Sequence, residues 1–182
     1  RLPAGRGRAL QDDMKRLVEE LTGAIPAAFE SDDYRNRKTV IRERFKERHE
    51  RTLGAFQEKA QARDVALIRT PTGIALAPTK DGEVLDPKQF EDLAEKEQEK
   101  RRAAIEALQA ELEGILRQIP HWDREQRDQL RDLNREVTTF AVGHLIDELQ
   151  SRWQDLPDAI GYLDAVRADV IENAHEFLPQ EG

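Results

Sequence analysis

The stretch VALIRTPTGIALAP, Val65 to Pro78, carries one charged side chain, Arg69, in fourteen positions. It lies between RKTVIRERFKERHER and AEKEQEKRRAAIEAL, both dense in charge. Apolar and β-branched residues on both sides of a Thr-Pro-Thr-Gly core read as two short strands joined by a turn. Pro71 pre-sets φ at the first turn position and Gly73 supplies a left-handed residue, which suits a type I turn closed by a bulge. That geometry pairs Thr70 with Ile74 and sets Ile68 opposite Leu76, so Ala66, Ile68, Ile74 and Leu76 share one face. A two-stranded hairpin alone is marginal in water, so it must lean on its flanks.

Those flanks read as helix. With 36% charged and 5% aromatic residues in 182, the chain favours long helices with narrow apolar stripes. RLPAGRGR reads as loop. A first helix is expected from Ala9 to Ala24, with Leu10, Met14, Leu17, Val18 and Leu21 on one face, Asp12 and Asp13 in its first turn, and Pro26 ending it. A second starts at Ser-Asp-Asp, with Ser31 or Asp32 as cap, and runs to about Arg63. At ~1.5 Å per residue it is a rod of roughly 50 Å. Its stripe is thin: Tyr34, Ile41, Phe45, Leu53 and Phe56, with His49 among them.

After KDGEVLDP, a turn-rich stretch, a third helix is expected from Lys88 to Ile119, with Asp86 as cap and Pro87 at its first position. Ile105, Leu108, Leu112, Ile115 and Ile119 form a coiled-coil seam in its second half. Residues 31–63 hold ten basic and six acidic side chains, and residues 81–118 hold six basic and eleven acidic. Opposite net charge favours antiparallel pairing of these two helices across the hairpin. A fourth helix is expected from Pro120 to Asp155, with Leu130, Leu133, Val137 and Phe140 in its seam, and a fifth from Asp158 to Phe177. The expected fold is mainly α: a helical bundle (1–30 and 105–182) with a long antiparallel coiled-coil arm (31–104) tipped by a small β-hairpin (65–78), as a single helical module over 1–182.

The net charge of −8 argues against a nucleic-acid partner. Without cysteine, disulfides and thiolate metal sites are excluded, and a reducing, cytoplasmic setting is expected. No run of about 18 apolar residues exists to span a membrane. The chain begins at Arg1 and its one methionine is Met14, so a piece of a longer protein is expected.

No strong catalytic motif is present. Ser31 sits where a cap belongs and Ser151 lies within a helix, neither in a nucleophile-elbow context. His49, His121, His144 and His175 lack metal-ligand spacing; His144 with Asp147 and Glu148 is the nearest approach to a cluster. PAGRGR lacks the ending of a phosphate-binding loop. The basic run Arg35–Arg51 is interrupted by Glu43, Glu47 and Glu50, as in a salt-bridged helix. No catalytic, cofactor-binding or metal residue is assigned. The hairpin either stops the helix ends from fraying or contacts an unfolded or partner chain, through its apolar face or by strand addition. Its candidate contact residues are Ile68, Pro71, Thr72, Ile74 and Leu76.

RLPAGRGRALQDDMKRLVEEL, IPAAFESDDYRNRK, LNREVTTFAVGHLIDELQSRW and YLDAVRADVIENAHEFL together resemble the helical segment of Lon-like ATP-dependent proteases, in which a long helical insertion accompanies the AAA+ module. The resemblance implies a hexameric parent with a Ser–Lys proteolytic domain, using ATP and Mg²⁺. The glycine-rich nucleotide loop and the Ser–Lys segment are not in this chain, so no catalytic or ATP-binding residue carries over and no cofactor is expected here. What it implies is gating or recognition of unfolded protein substrates at a chamber entrance. The alternative is a structural module that assembles subunits through helix pairing.

Overall fold

The computed structural model describes residues 5–71 and 73–178. Five helices and three strands follow in order: α1 (Arg6–Glu30), α2 (Asp32–Gln61), β1 (Val65–Thr70), β2 (Gly73–Lys80), β3 (Glu83–Val84), α3 (Pro87–Glu91), α4 (Glu95–Arg152) and α5 (Pro157–Glu172), with a 3-10 turn at Ala174–Phe177. The fold is mainly α with one small antiparallel sheet, as expected. The chain divides into two compact units, residues 1–41 with 127–182 and residues 42–126. The boundaries expected from the sequence lie at 30/31 and 104/105.

Several helix limits differ from the sequence reading. α1 begins at Arg6, directly after Gly5 in a left-handed conformation (φ 85°), so Gly7 and Arg8 are helical rather than loop. Arg1–Ala4 lie outside the described residues. Pro26 sits inside α1 and does not end it. The third expected helix, Lys88–Ile119, breaks after Glu91, and its remainder from Glu95 is continuous with the fourth: α4 runs 58 residues through Pro120. A proline there removes one backbone hydrogen bond and crowds the preceding turn, at a cost of about 3 kcal/mol. The cost is local, and the helix carries buried side chains on both sides of it, from Leu108 and Leu112 to Leu133 and Val142. Ahead of α4 stands the short α3, where Asp86 and Gln89 form a reciprocal capping box with Pro87 in the first turn.

The unit of residues 1–41 and 127–182 is built on aliphatic side chains at helical spacing. Leu17, Leu21 and Ile25 of α1 pack with Val142 and Ile146 of α4 and Leu163 and Val170 of α5. Asp13 is buried beside them. Its carboxylate accepts from Trp153 Nε1 at 2.9 Å and from Arg152 at 2.7 Å. Asp13 therefore ties α1 to the end of α4; with α1 starting at Arg6 it stands beyond the first turn, where the dipole argument had put it. Arg6 lies over the Trp153 ring at 4.8 Å and pairs with Asp155. Ser31 does cap α2: its Oγ accepts from Tyr34 N at 3.3 Å and donates to Ala28 O at 2.7 Å. Tyr34 donates to Asn134 Oδ1 at 2.9 Å, and Arg37 pairs with Glu136 at 2.7 Å. That hydrogen bond is the main reason the Glu136 carboxyl is held below, and the Arg37 guanidinium above, its ordinary range. Phe140, placed in the seam by the sequence reading, is 88% exposed instead. The buried positions around it are Thr138, Ala141 and Val142, which put the inward face of α4 one step away.

In the unit of residues 42–126, α2 and the first part of α4 run antiparallel. Arg48 pairs with Glu125 at 2.9 Å and Lys59 with Glu111 at 2.5 Å, so partner numbers fall as the first numbers rise. Opposite charges thus stand side by side, as the charge count required. The core joins Phe56 and Ala60 of α2, Val65 of β1, and Ala104, Leu108 and Leu112 of α4. Small side chains at Ala60 and Ala104 leave room for close helix approach.

Candidate interaction site in the β meander

The sheet begins where α2 stops. Arg63 and Asp64 donate their amides to Ala60 O and Gln61 O, and Asp64 takes φ 58°. Aspartate tolerates the left-handed region better than most side chains, and this one residue turns the chain from helix to strand. Its carbonyl then accepts from Thr79 N at 2.8 Å, extending the β1–β2 ladder inward.

β1 and β2 pair antiparallel with Thr70 opposite Gly73, Arg69 opposite Ile74, Ile68 opposite Ala75 and Leu67 opposite Leu76. The expected register, Thr70 with Ile74, is off by one. Gly73 (φ 136°) serves as a paired strand residue, not as the bulge. A one-residue slip moves every side chain of one strand to the other face. Ile68 therefore shares a face with Ala75, while Ile74 and Leu76 share the other with Leu67 and Arg69. The single apolar face expected of Ile68, Ile74 and Leu76 does not form.

The structure places the predicted contact residues unequally. Leu76 and Leu67 pack against the helical core, and Ile68 is half-buried. Pro71 is exposed, and Ile74 is 37% exposed. Thr72 lies outside the described residues. Ile74 is thus the apolar strand residue that the turn end offers to solvent.

A third strand was missed. Glu83 and Val84 pair with Lys80 and Thr79 across an Asp81-Gly82 turn whose φ values, 52° and 85°, are both positive. That is the type I′ arrangement, and Asp-Gly is its strongest sequence signal. Arg101 was also missed. It is 5% exposed, and its Nε donates to Thr79 O at 2.9 Å. Its guanidinium also pairs with Glu97 at 2.5 Å and Asp64 at 3.4 Å. Hydrogen bonding to Arg101 is the leading cause that holds the Glu97 carboxyl below its ordinary range. One buried cation thereby fastens the end of α2, strand β2 and helix α4. Within EKEQEKRR nothing in the sequence separates Arg101 from its neighbours.

The other candidates take structural roles. Ser151 donates to Asp147 O within α4. Asp147 also binds Arg167, while His144 is exposed. Among the described residues, no group of three or more His, Asp or Glu could hold a metal ion, and no helix is long and apolar enough to cross a membrane. Neither a protein-family model nor a curated protein matches the sequence.

Proposed function

We propose that this chain is a non-catalytic helical and coiled-coil domain of a Lon-like ATP-dependent serine protease, and that its β meander gates or recognises unfolded protein substrates at the chamber entrance. The parent would be a cytoplasmic hexamer using ATP and Mg²⁺, with neither nucleic acid nor membrane as a partner. The reading is carried by one observation: the β1–β2 hairpin, with one charge in Val65–Pro78 and Ile74 exposed, is anchored by Arg101 and the Leu67–Leu76 pair on charged helices. An anchored sheet can hold an apolar side chain toward a passing chain without collapsing onto it. Each contact is weak, and six copies would multiply it through effective concentration.

The test replaces Ile68 and Ile74 with serine in the whole parent enzyme and leaves Leu76, which packs inward, untouched. Degradation of an unfolded protein is expected to slow while cleavage of a short peptide holds. Equal rates for both substrates before and after the change would reduce the meander to a cap.

The second reading, subunit assembly, draws on Phe140. A phenylalanine 88% exposed on α4 is an apolar side chain free to pack against another surface. Under that reading Phe140→Ser lowers the oligomer fraction in sedimentation, and substrate selection follows assembly rather than the meander.

A further inference from the structure

The ladder fixes which backbone groups of the sheet are spoken for. Thr79 N reaches Asp64 O, so odd-numbered β2 residues turn their amides and carbonyls toward β1. Pro78 O accepts from Leu85 N, which puts the even-numbered ones on the other side. By the same alternation Ile68 and Thr70 face β2, while Val65, Leu67 and Arg69 face away from it. β1 is an edge strand in the order β1-β2-β3. Val65 is fully buried, which closes the inner end of that edge. Leu67 is half-buried and Arg69 exposed, and neither main chain has another hydrogen-bond partner among the described residues. The corresponding edge of β2 is open over the same length, at Ile74 and Leu76, because β3 and Leu85 occupy it only from Pro78 onward, and no cation stands on that stretch.

We propose that the outer edge of β1, at Leu67 and Arg69, receives an extended stretch of unfolded polypeptide as an added strand. This rests on the substrate-recognition reading above and specifies its mode. Main-chain hydrogen bonding accepts any sequence that can extend, which suits a site that must take many unfolded chains. Arg69 is the one charge on β1, and it biases the incoming strand toward an acidic residue opposite it. An edge this short with a cation on it is protected against pairing with copies of itself. It holds a strand weakly, in keeping with a chain that must be released onward.

The probe is a fluorescein-labelled ten-residue peptide of alternating Val and Thr with one central Glu, added to the full 182-residue chain. Strand addition requires that the Leu67 and Arg69 amides slow in hydrogen exchange on peptide addition, while Ile68 and Thr70, already facing β2, change little. N-methylation of four consecutive central amides, which blocks both edges of the peptide, should weaken binding about tenfold or more. Arg69→Pro removes the outward amide at an edge position where proline is tolerated, and should lose binding similarly. Arg69→Ala should lose only about two- to threefold, and Arg69→Glu should switch preference to a Lys-bearing peptide. Circular dichroism of the variants confirms that each is folded. Binding indifferent to N-methylation would overturn strand addition, yet leave side-chain recognition by Ile74 standing for the degradation assay to judge. No binding, protection at Ile74 and Leu76 instead, or a β1-to-β1 dimer in sedimentation would each overturn it as well.

Discussion

The two compact units solve the same problem with opposite charges. In residues 1–41 and 127–182, three helices share an aliphatic core and the buried charge beside it is an acid, Asp13. In residues 42–126, two helices and a sheet share a core with two alanines in it, and the buried charge is a base, Arg101. Asp13 accepts from an indole and a guanidinium; Arg101 donates to the Thr79 and Glu97 carbonyls and the Glu97 carboxylate, and forms an ion pair with Asp64. The difference follows from what each must join. Helices present their side chains to one another and leave the backbone satisfied, so a side-chain acceptor suffices in the first unit. A strand presents carbonyls, and a guanidinium with donors in a fork can take one of them while pairing with acids. Burial of one charge in each unit costs desolvation, and the partners offset it.

The largest effects should come from the cores. Leu163→Ala and Leu108→Ala each remove a fully buried side chain, one per unit, and should each cost about 2–5 kcal/mol in urea denaturation. If residues 42–126 open independently, Leu108→Ala will lower the midpoint of that unit's transition alone and Leu163→Ala that of the other unit alone. The two anchors come next. Arg101→Ala leaves Thr79 O without its donor and should cost about 1–3 kcal/mol, with amide protection lost first in β2. Asp13→Ala strands the Trp153 indole N–H and should cost a similar amount, read by a change in Trp153 fluorescence. If Arg101→Ala leaves β2 protection intact, the sheet is held by apolar packing alone and the comparison fails on that side.

Pro120→Ala sharpens the contrast from the other direction. It restores a backbone donor inside α4 and should raise stability by up to about 3 kcal/mol, measured as a higher denaturation midpoint. Gly82→Ala should cost about 1 kcal/mol, since an L side chain at φ 85° is strained. The smallest effect concerns Glu136. Its carboxyl is depressed when folded, so its contribution is full above the unfolded value of about 4.3 and fades as pH falls through the lower folded value. Both groups are solvent-exposed, so the gap between the native chain and Glu136→Gln should be slight at neutral pH and close on acidification.

Much of this architecture was legible because it rests on repetition. Leu17 and Leu21, or Leu108 and Leu112, recur every four residues, and no alternative to helix buries them together. Opposite charge on α2 and α4 was countable, and the pairs Arg48–Glu125 and Lys59–Glu111 follow it. The Asp86-Pro87 helix start and the Ser31 cap were local signals and held. Single residues misled where a local penalty met distant packing. Pro26 and Pro120 are breakers by their own chemistry, yet each lies inside a helix. Phe140 looked buried by spacing and is not.

The sequence alone determined the helical class, the antiparallel partners by charge, and the presence of a sheet at Val65–Pro78. Tertiary structure decided the strand register, the faces of Ile68 and Ile74, the continuity of α4, and the burial of Asp13 and Arg101. The reason is one of range. Periodicity and capping are energies between residues a few positions apart and are written along the chain. Register and charge burial depend on which distant groups arrive opposite, and Arg101 meets Thr79 and Asp64 only once the sheet has folded back onto α4.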